Sequence, residues 1–187
     1  MTEKEVTTFY LEMTGTEKFK PKAGFEKAMH IQEIENDAFI NFMLFAGVGL
    51  PWKWYSRLAW TPDDWKKYFN KNVCKTFLGF RNKQLIGYFE LEIQENKNVE
   101  IKFFGLLPQF IGSGIGGYFL SHAINSAWQL GAKRIWLHTC SSDNENATAN
   151  YISRGFEIFK EEKEIEEIPD KQELLDRINA FFSDYIG

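Results

Sequence analysis

The sequence predicts an α/β domain in which a mixed, largely antiparallel sheet is flanked by helices. Three observations carry this prediction. Between Lys75 and Leu107 apolar and polar residues alternate with the period of two that strands require, in runs parted by short polar connections. Before and after this stretch the apolar spacing changes to three and four, as on a helix face. At "QFIGSGIGGYFL" a strand gives way to a helix through glycines, a junction that lets the backbone approach a ligand closely.

Residues 6–13 alternate well enough for a strand, closed by Thr14 and Gly15. From His30, the residues Ile31, Ile34, Ala38, Phe42 and Phe45 recur at three and four, predicting a helix that "GVGLP" ends. Thr61, followed by Pro62 and Asp64, reads as an N-cap with proline at the first helical position, so a second helix starts there. Strands are predicted at about 75–80, 84–93 and 99–106, joined as hairpins by "RNK" and "QENKN". A helix over about 114–130 follows, with Gly131 as its C-terminal cap. Then come a strand at "KRIWLHTC", a short helix at "ENATANYISRG" and a last strand at "FEIFKEEKEI". The run "KEEKEIEEIPD" reads as solvated strand end and turn, and Leu174, Ile178, Phe181, Phe182 and Tyr185 mark a final amphipathic helix.

With 187 residues, 44% of them hydrophobic, the chain can bury one core, so we expect a single domain over 1–187 with a helical extension at about 170–185. Aromatic residues make up 17% but never gather into a membrane-length run, which predicts a soluble protein. The opening "MTEKEVTTFYLEM" lacks the pattern of a signal peptide, which predicts a cytoplasmic location. A formal charge of −4 argues against a surface that holds nucleic acid by neutralising phosphates. Cys74 and Cys140 are far apart, and His30, His122 and His138 lack zinc-ligand spacing, so no metal site is expected.

Gly112, Gly114 and Gly117 satisfy G-x-G-x-x-G, which raises a dinucleotide site. Such a site needs an acidic residue about 20 positions on and parallel strands around the loop. Here "RIWLHTC" offers no carboxylate, and the strands before the loop are antiparallel. A tight turn serving only close packing is the other plain reading.

A different pattern fits better. Gln109-x-x-Gly112-x-Gly114 resembles the (Arg/Gln)-x-x-Gly-x-(Gly/Ala) motif of the GNAT superfamily of acyl-CoA-dependent N-acyltransferases. Further on, Asn144-x-x-Ala147-x-x-x-Tyr151-x-x-x-Gly155-Phe156 is similar to the family's second landmark. The resemblance covers about residues 75–162. Where members often carry Arg just before the first motif glycine this chain has Ile111, which removes one charged contact.

The resemblance implies that the protein transfers the acetyl group of acetyl-CoA directly to an amine acceptor. Main-chain amides from Ile111 through Gly112, Ser113, Gly114 and Ile115 to Gly116 would hold the pyrophosphate at a helix N-terminus, next to Gln109. Pantetheine would lie along Phe104 to Leu107, with an N–H near Leu106 or Leu107 stabilising the oxyanion. Tyr151 takes the family's general-acid position, its alternative being a buried tyrosine satisfied locally. Asn144 either holds the coenzyme or caps the short helix.

For the base, a simple hairpin register sets Glu92 opposite Glu100 and Glu90 opposite Lys102, on the face that carries Tyr88 and Phe104. Two facing carboxylates would raise the proton affinity of one of them. Glu100 also matches a position where several members carry a catalytic glutamate; His138 is held in reserve. Trp54 and Tyr55, with Tyr88 and Glu90, are the candidates for contact with the acceptor. The partners expected are acetyl-CoA and an amine, with neither nucleic acid nor membrane, and a homodimer is left open. A module that binds acyl-CoA without catalysis is the rival reading.

Overall fold

The structure is a computed structural model that describes residues 2–24 and 29–186. In chain order the principal elements are β1 (Thr2–Met13), β2 (Met29–Ile34), α1 (Ala38–Gly49), α2 (Pro62–Phe69), β3 (Cys74–Arg81), β4 (Gln84–Ile93), β5 (Asn98–Leu106), α3 (Gly116–Gln129), β6 (Arg134–Cys140), α4 (Ala147–Ser153), β7 (Glu157–Ile168) and α5 (Lys171–Ile186). One sheet runs in the order β2-β3-β4-β5-β6-β1-β7. Every pairing is antiparallel except β5 with β6.

The predicted first helix begins late. Met29–Ile34 is a strand, paired with β3 from Met29↔Arg81 to Ile34↔Thr76. Ile31 and Ile34 fit a helical spacing, but the chain is broken at Asp37, whose side chain accepts the Ile40 N–H at 2.9 Å and so caps α1. Helix α2 starts as its sequence predicts, with Thr61 and Asp64 forming a reciprocal capping box. The strand at "FEIFKEEKEI" is longer than expected: its charged end stays paired with β1 as far as Thr2↔Ile168.

The two faces of the sheet have separate cores. On one, Ile115 at the N-cap and Phe119, Ala123 and Ala127 of α3 pack against Phe77, Phe89 and Leu91. On the other, α1 is buried between the sheet and α5, and Phe42 stacks on Phe181 with ring centroids 3.7 Å apart. Burial of each of these rings stabilises the fold by roughly 1.5–3 kcal/mol. The terminal helix is therefore the outer cover of α1.

A β-bulge in β5 changes the expected register. Glu92 faces Glu100, as the simple hairpin requires, but Glu90 faces Phe103 because Lys102 is the extra residue. Beyond the bulge the alternation is reversed. Phe103 joins Tyr88 on the α1 side, while Phe104 turns to the α3 side, so Phe104 does not share a face with the glutamates.

Candidate functional site

Strands β5 and β6 run together only from Asn98↔Arg134 to Glu100↔Trp136, then part. The gap opens into a cleft of about 520 Å³, floored by Phe104–Leu106 and walled by the glycine loop and α4. Pairing of β5 with β4 decides which of its amides face this cleft. Leu107 N–H donates to Ile86 O at 2.8 Å, so it is not a free oxyanion donor, contrary to one of the two options in the sequence. Antiparallel alternation then directs the Leu106 and Phe104 N–H groups away from β4, toward the open side.

Gly112 and Gly114 adopt φ of 79° and 78°, a conformation that disfavours side chains, and turn the loop onto the first turn of α3. Gly117 is a close approach: a Cβ there would lie 2.7 Å from Arg154 Nη1 and 2.9 Å from Lys22 Cδ. Two cations thus flank the helix N-terminus. Lys22 Nζ donates to Gly114 O at 3.0 Å, and Arg154 Nε is buried with no partner among the described residues. They supply the positive charge that Ile111 does not. Neither was legible in the motif: Lys22 comes from a distant loop, and Arg154 reads as a filler residue before Gly155.

Of the expected coenzyme contacts, Phe104, Leu106, Ile111, Gly112, Gly114, Gly116 and Asn144 line the cleft. Leu107 packs against the cluster of Leu44, Val48 and Tyr88, and Ile115 turns its side chain into the core. Gln109 is exposed, and the Ser113 hydroxyl bonds back to Phe110 O. Asn144 Oδ1 accepts the Asn146 N–H at 2.9 Å, a local turn contact just ahead of α4.

A second cavity of about 420 Å³ lies beside the cleft, and the two share Trp52, Trp54, Phe104, Asp143 and Tyr151. Tyr151 is 8% exposed, and its hydroxyl has no partner among the described residues. Burial, and then the charge of Asp143, push the phenol well up, so it keeps its proton. Asp143 accepts from Trp54 Nε1 at 3.1 Å, Thr139 Oγ1 at 2.6 Å and Cys140 N–H at 3.2 Å. Sequence reasoning passed it over, although it directly precedes Asn144 of the second landmark.

Trp54 and Tyr55, the candidates for contact with the acceptor, border this cavity. Tyr88 and Glu90 do not. Tyr88 is buried under α1, and Glu90 is 1% exposed in an ion pair with Arg57 at 2.9 Å. Arg57 in turn lies within 5.1 Å of the ring centres of Trp60, Trp65, Tyr68 and Phe103. These two expectations are corrected: the sequence places both residues on the right face of β4, but α1 and α2 cover that face.

The facing pair Glu92 and Glu100 is real but pacified. Gln94 Nε2 bridges them at 3.1 and 3.0 Å. Burial alone would raise Glu92, but hydrogen bonds from Tyr68 and Gln94, with Lys102 and Arg57 nearby, hold it below the usual carboxylate range. The expected upward shift from mutual repulsion is thus overturned for Glu92. Glu100 is 1% exposed, accepts from Lys102 at 3.1 Å, and faces His138 Nδ1 at 3.2 Å. His138, 43% exposed, opens onto the second cavity.

Among the described residues no cluster of three or more His, Cys, Asp or Glu has the arrangement of a metal site. Among the same residues no helix is long and apolar enough to cross a membrane.

Comparison with solved structures finds the same architecture elsewhere. A GCN5-related N-acetyltransferase from Sphaerobacter thermophilus aligns over 88% of this chain and 52% of its own, with a TM-score of 0.61 and 11% identity. A Drosophila protein aligns over 90% and 53%, with a TM-score of 0.61 and 12% identity. An IAA acetyltransferase from Bacillus cereus aligns over 71% and 79%, with a TM-score of 0.52 and 20% identity. At these identities the likeness is one of fold. The chain spans 52–63% of the length of four such neighbours. None of the curated proteins compared with it matches. Residues 29–156 match the acetyltransferase (GNAT) family, a segment that holds the glycine loop, Tyr151 and the cleft lining other than Lys22 and leaves out β1, β7 and α5. More than half of the chain carries the match, so the chain belongs to the GNAT family of acetyltransferases.

Proposed function

We propose that this protein is an N-acetyltransferase that binds acetyl-CoA in the cleft beside β5 and passes the acetyl group directly to a primary amine in the adjoining cavity. The observation that carries the reading is the meeting of the two hollows at Tyr151, a buried phenol with an unused hydroxyl. The coenzyme's pyrophosphate would rest on the α3 N-terminus between Lys22 and Arg154, where free N–H groups and the helix dipole favour anions.

An acceptor ammonium first gives one proton to solvent. The amine lone pair attacks the thioester carbon, and the Leu106 N–H steadies the oxygen as it gains charge. The C–S bond then breaks with its electron pair on sulfur, which takes the Tyr151 proton, while the new C–N bond remains. The nitrogen loses its surplus proton to a base, and a proton returns to the Tyr151 oxygen to restore the phenol. Neither Glu92 nor Glu100 lines either hollow; Glu100 is enclosed by its donors, and its pull is exerted through His138, which borders the second cavity. We therefore assign the base role to His138 backed by Glu100, with Glu92 completing the network through Gln94. Two free thiols, Cys74 and Cys140, suit a cytoplasmic setting, which is part of the proposal.

The test pairs thermal shift with thiol release. Acetyl-CoA should raise the melting temperature while NAD does not, and a panel of primary amines should then liberate coenzyme A. A shift without thiol release from any amine would favour a binding module without turnover. Absence of the shift would remove the donor assignment itself.

A further inference from the structure

Charge around the acceptor cavity is one-sided. Asp143, Glu164, Glu166 and Glu167 border it, against Lys53 and Lys102. Lys102 is already committed to Glu100 at 3.1 Å. Among the described residues no cation forms an ion pair with Asp143, Glu164 or Glu166. Glu164 and Glu166 are two apart on β7 and so lie on one face of the strand, opposite Val6 and Lys4 of β1. Burial, then Glu164 and Asp143, push the Glu166 carboxyl up, against the weaker pull of Lys4 and Lys53. Carboxylates outnumber lysines around this cavity, and with Lys102 committed to Glu100 the wall favours a cation.

The rest of the lining says what kind. Tyr10, Trp54 and Tyr55 add aromatic faces, and the Tyr10 ring already has Lys160 Nζ 4.8 Å from its centre. At the end shared with the donor cleft, Tyr151 is more than nine-tenths buried and aims a hydroxyl without a partner into the space. The cavity thus joins a reacting end at Tyr151 and Trp54, shared with the donor cleft, to β7 carboxylates that the donor cleft does not share.

We propose that the acceptor is a linear aliphatic di- or polyamine, its free amine presented at Tyr151 and a second ammonium held by Glu164 and Glu166. This inference rests on the acyl-transfer reading and specifies its substrate class. The methylenes lie along Trp54 and Tyr55. Acetylation removes one basic nitrogen, forming an amide while the C–S bond of the donor is broken, and the distal ammonium stays on β7. An amino acid is disfavoured because its carboxylate would meet the same wall. A monoamine binds but leaves the far carboxylates unpaired.

The experiment titrates spermidine and butylamine separately into the protein by calorimetry, and into a Glu164→Gln/Glu166→Gln variant whose fold is checked by circular dichroism. Spermidine should bind at least about tenfold more tightly than butylamine. In the variant the preference should collapse, and added salt should erode it in the wild type. Equal affinities in the wild type, or a preference that survives in the variant, would overturn the proposal. A parallel titration with acetyl-CoA separates the two ideas: its failure sinks the donor assignment, while the spermidine result is scored without it.

Discussion

The indole nitrogen of Trp54 lies 3.1 Å from Oδ1 of Asp143, which ties the turn after α1 to the loop after β6 where the two hollows meet. Asp143 spends its other oxygen on Thr139 and Cys140, so it acts as a brace for the seam rather than as a free base. Trp54→Phe keeps the ring but orphans one carboxylate oxygen. Its Michaelis constant for the amine should rise several-fold, with turnover less affected and acetyl-CoA affinity unchanged within about twofold. Steady-state kinetics with each substrate varied in turn checks this.

Tyr151→Phe separates chemistry from packing. Because the hydroxyl has no protein partner to lose, the melting temperature should hold or rise slightly. Turnover should fall about a hundredfold, the usual scale for a general acid, with coenzyme affinity nearly intact. Unchanged turnover would remove the acid assignment.

Gly117→Ala probes the donor cleft. Its Cβ would meet the Arg154 guanidinium at 2.7 Å, and this long side chain can swing aside. The fold should therefore survive with little loss, while the cation beside the helix N-terminus is displaced. Acetyl-CoA affinity should drop about tenfold, as expected for loss of a charge-assisted contact to phosphate, and calorimetric titration reads it directly.

Glu90→Gln leaves the Arg57 guanidinium, 4% exposed, without its counter-charge. Removing one partner of such a pair costs about 3–5 kcal/mol. Urea melts should show that loss. Replacing both residues by apolar ones of similar volume should cost much less.

Glu166 makes stability depend on pH in a defined sense. Its carboxyl is raised in the folded state, so the folded protein binds that proton more tightly than the unfolded chain does. Its contribution is therefore full in acid, below the ordinary carboxylate value of about 4.3, and is lost as the pH climbs through the raised folded value. Glu166→Gln cannot ionise. The variant should melt higher than wild type near neutral pH and match it in acid. Melts across that window settle the sign.

Much of the scaffold could be read before any coordinates. Strand β4 falls where its alternation put it, and the loop and helix that follow β5 carry their own signals in glycine and spacing. What could not be read was set by distance or by a single residue. The bulge at Lys102 has no glycine or proline to announce it, yet it sends Phe104 to the other face and seats Glu90 against Phe103. Met29–Ile34 satisfies both a helical and a strand spacing, and only β3 decides between them. Tyr88 and Glu90 could be placed on a face but not under a helix, since what covers a face is written elsewhere in the chain. Lys22 reaches the glycine loop from far away in sequence, and local pattern is blind to that.

The position of β1 carries a consequence for biosynthesis. It precedes the other strands in the chain but is flanked by β6 and β7, so Thr8 must wait for both Cys140 and Glu162 before its edges are covered. Such long-range closure slows folding. Until β6 and β7 have been made, the nascent chain holds a ribbon with two open sides, whose apolar residues Val6, Leu11 and Met13 are a standing invitation to chaperones and to neighbouring copies alike.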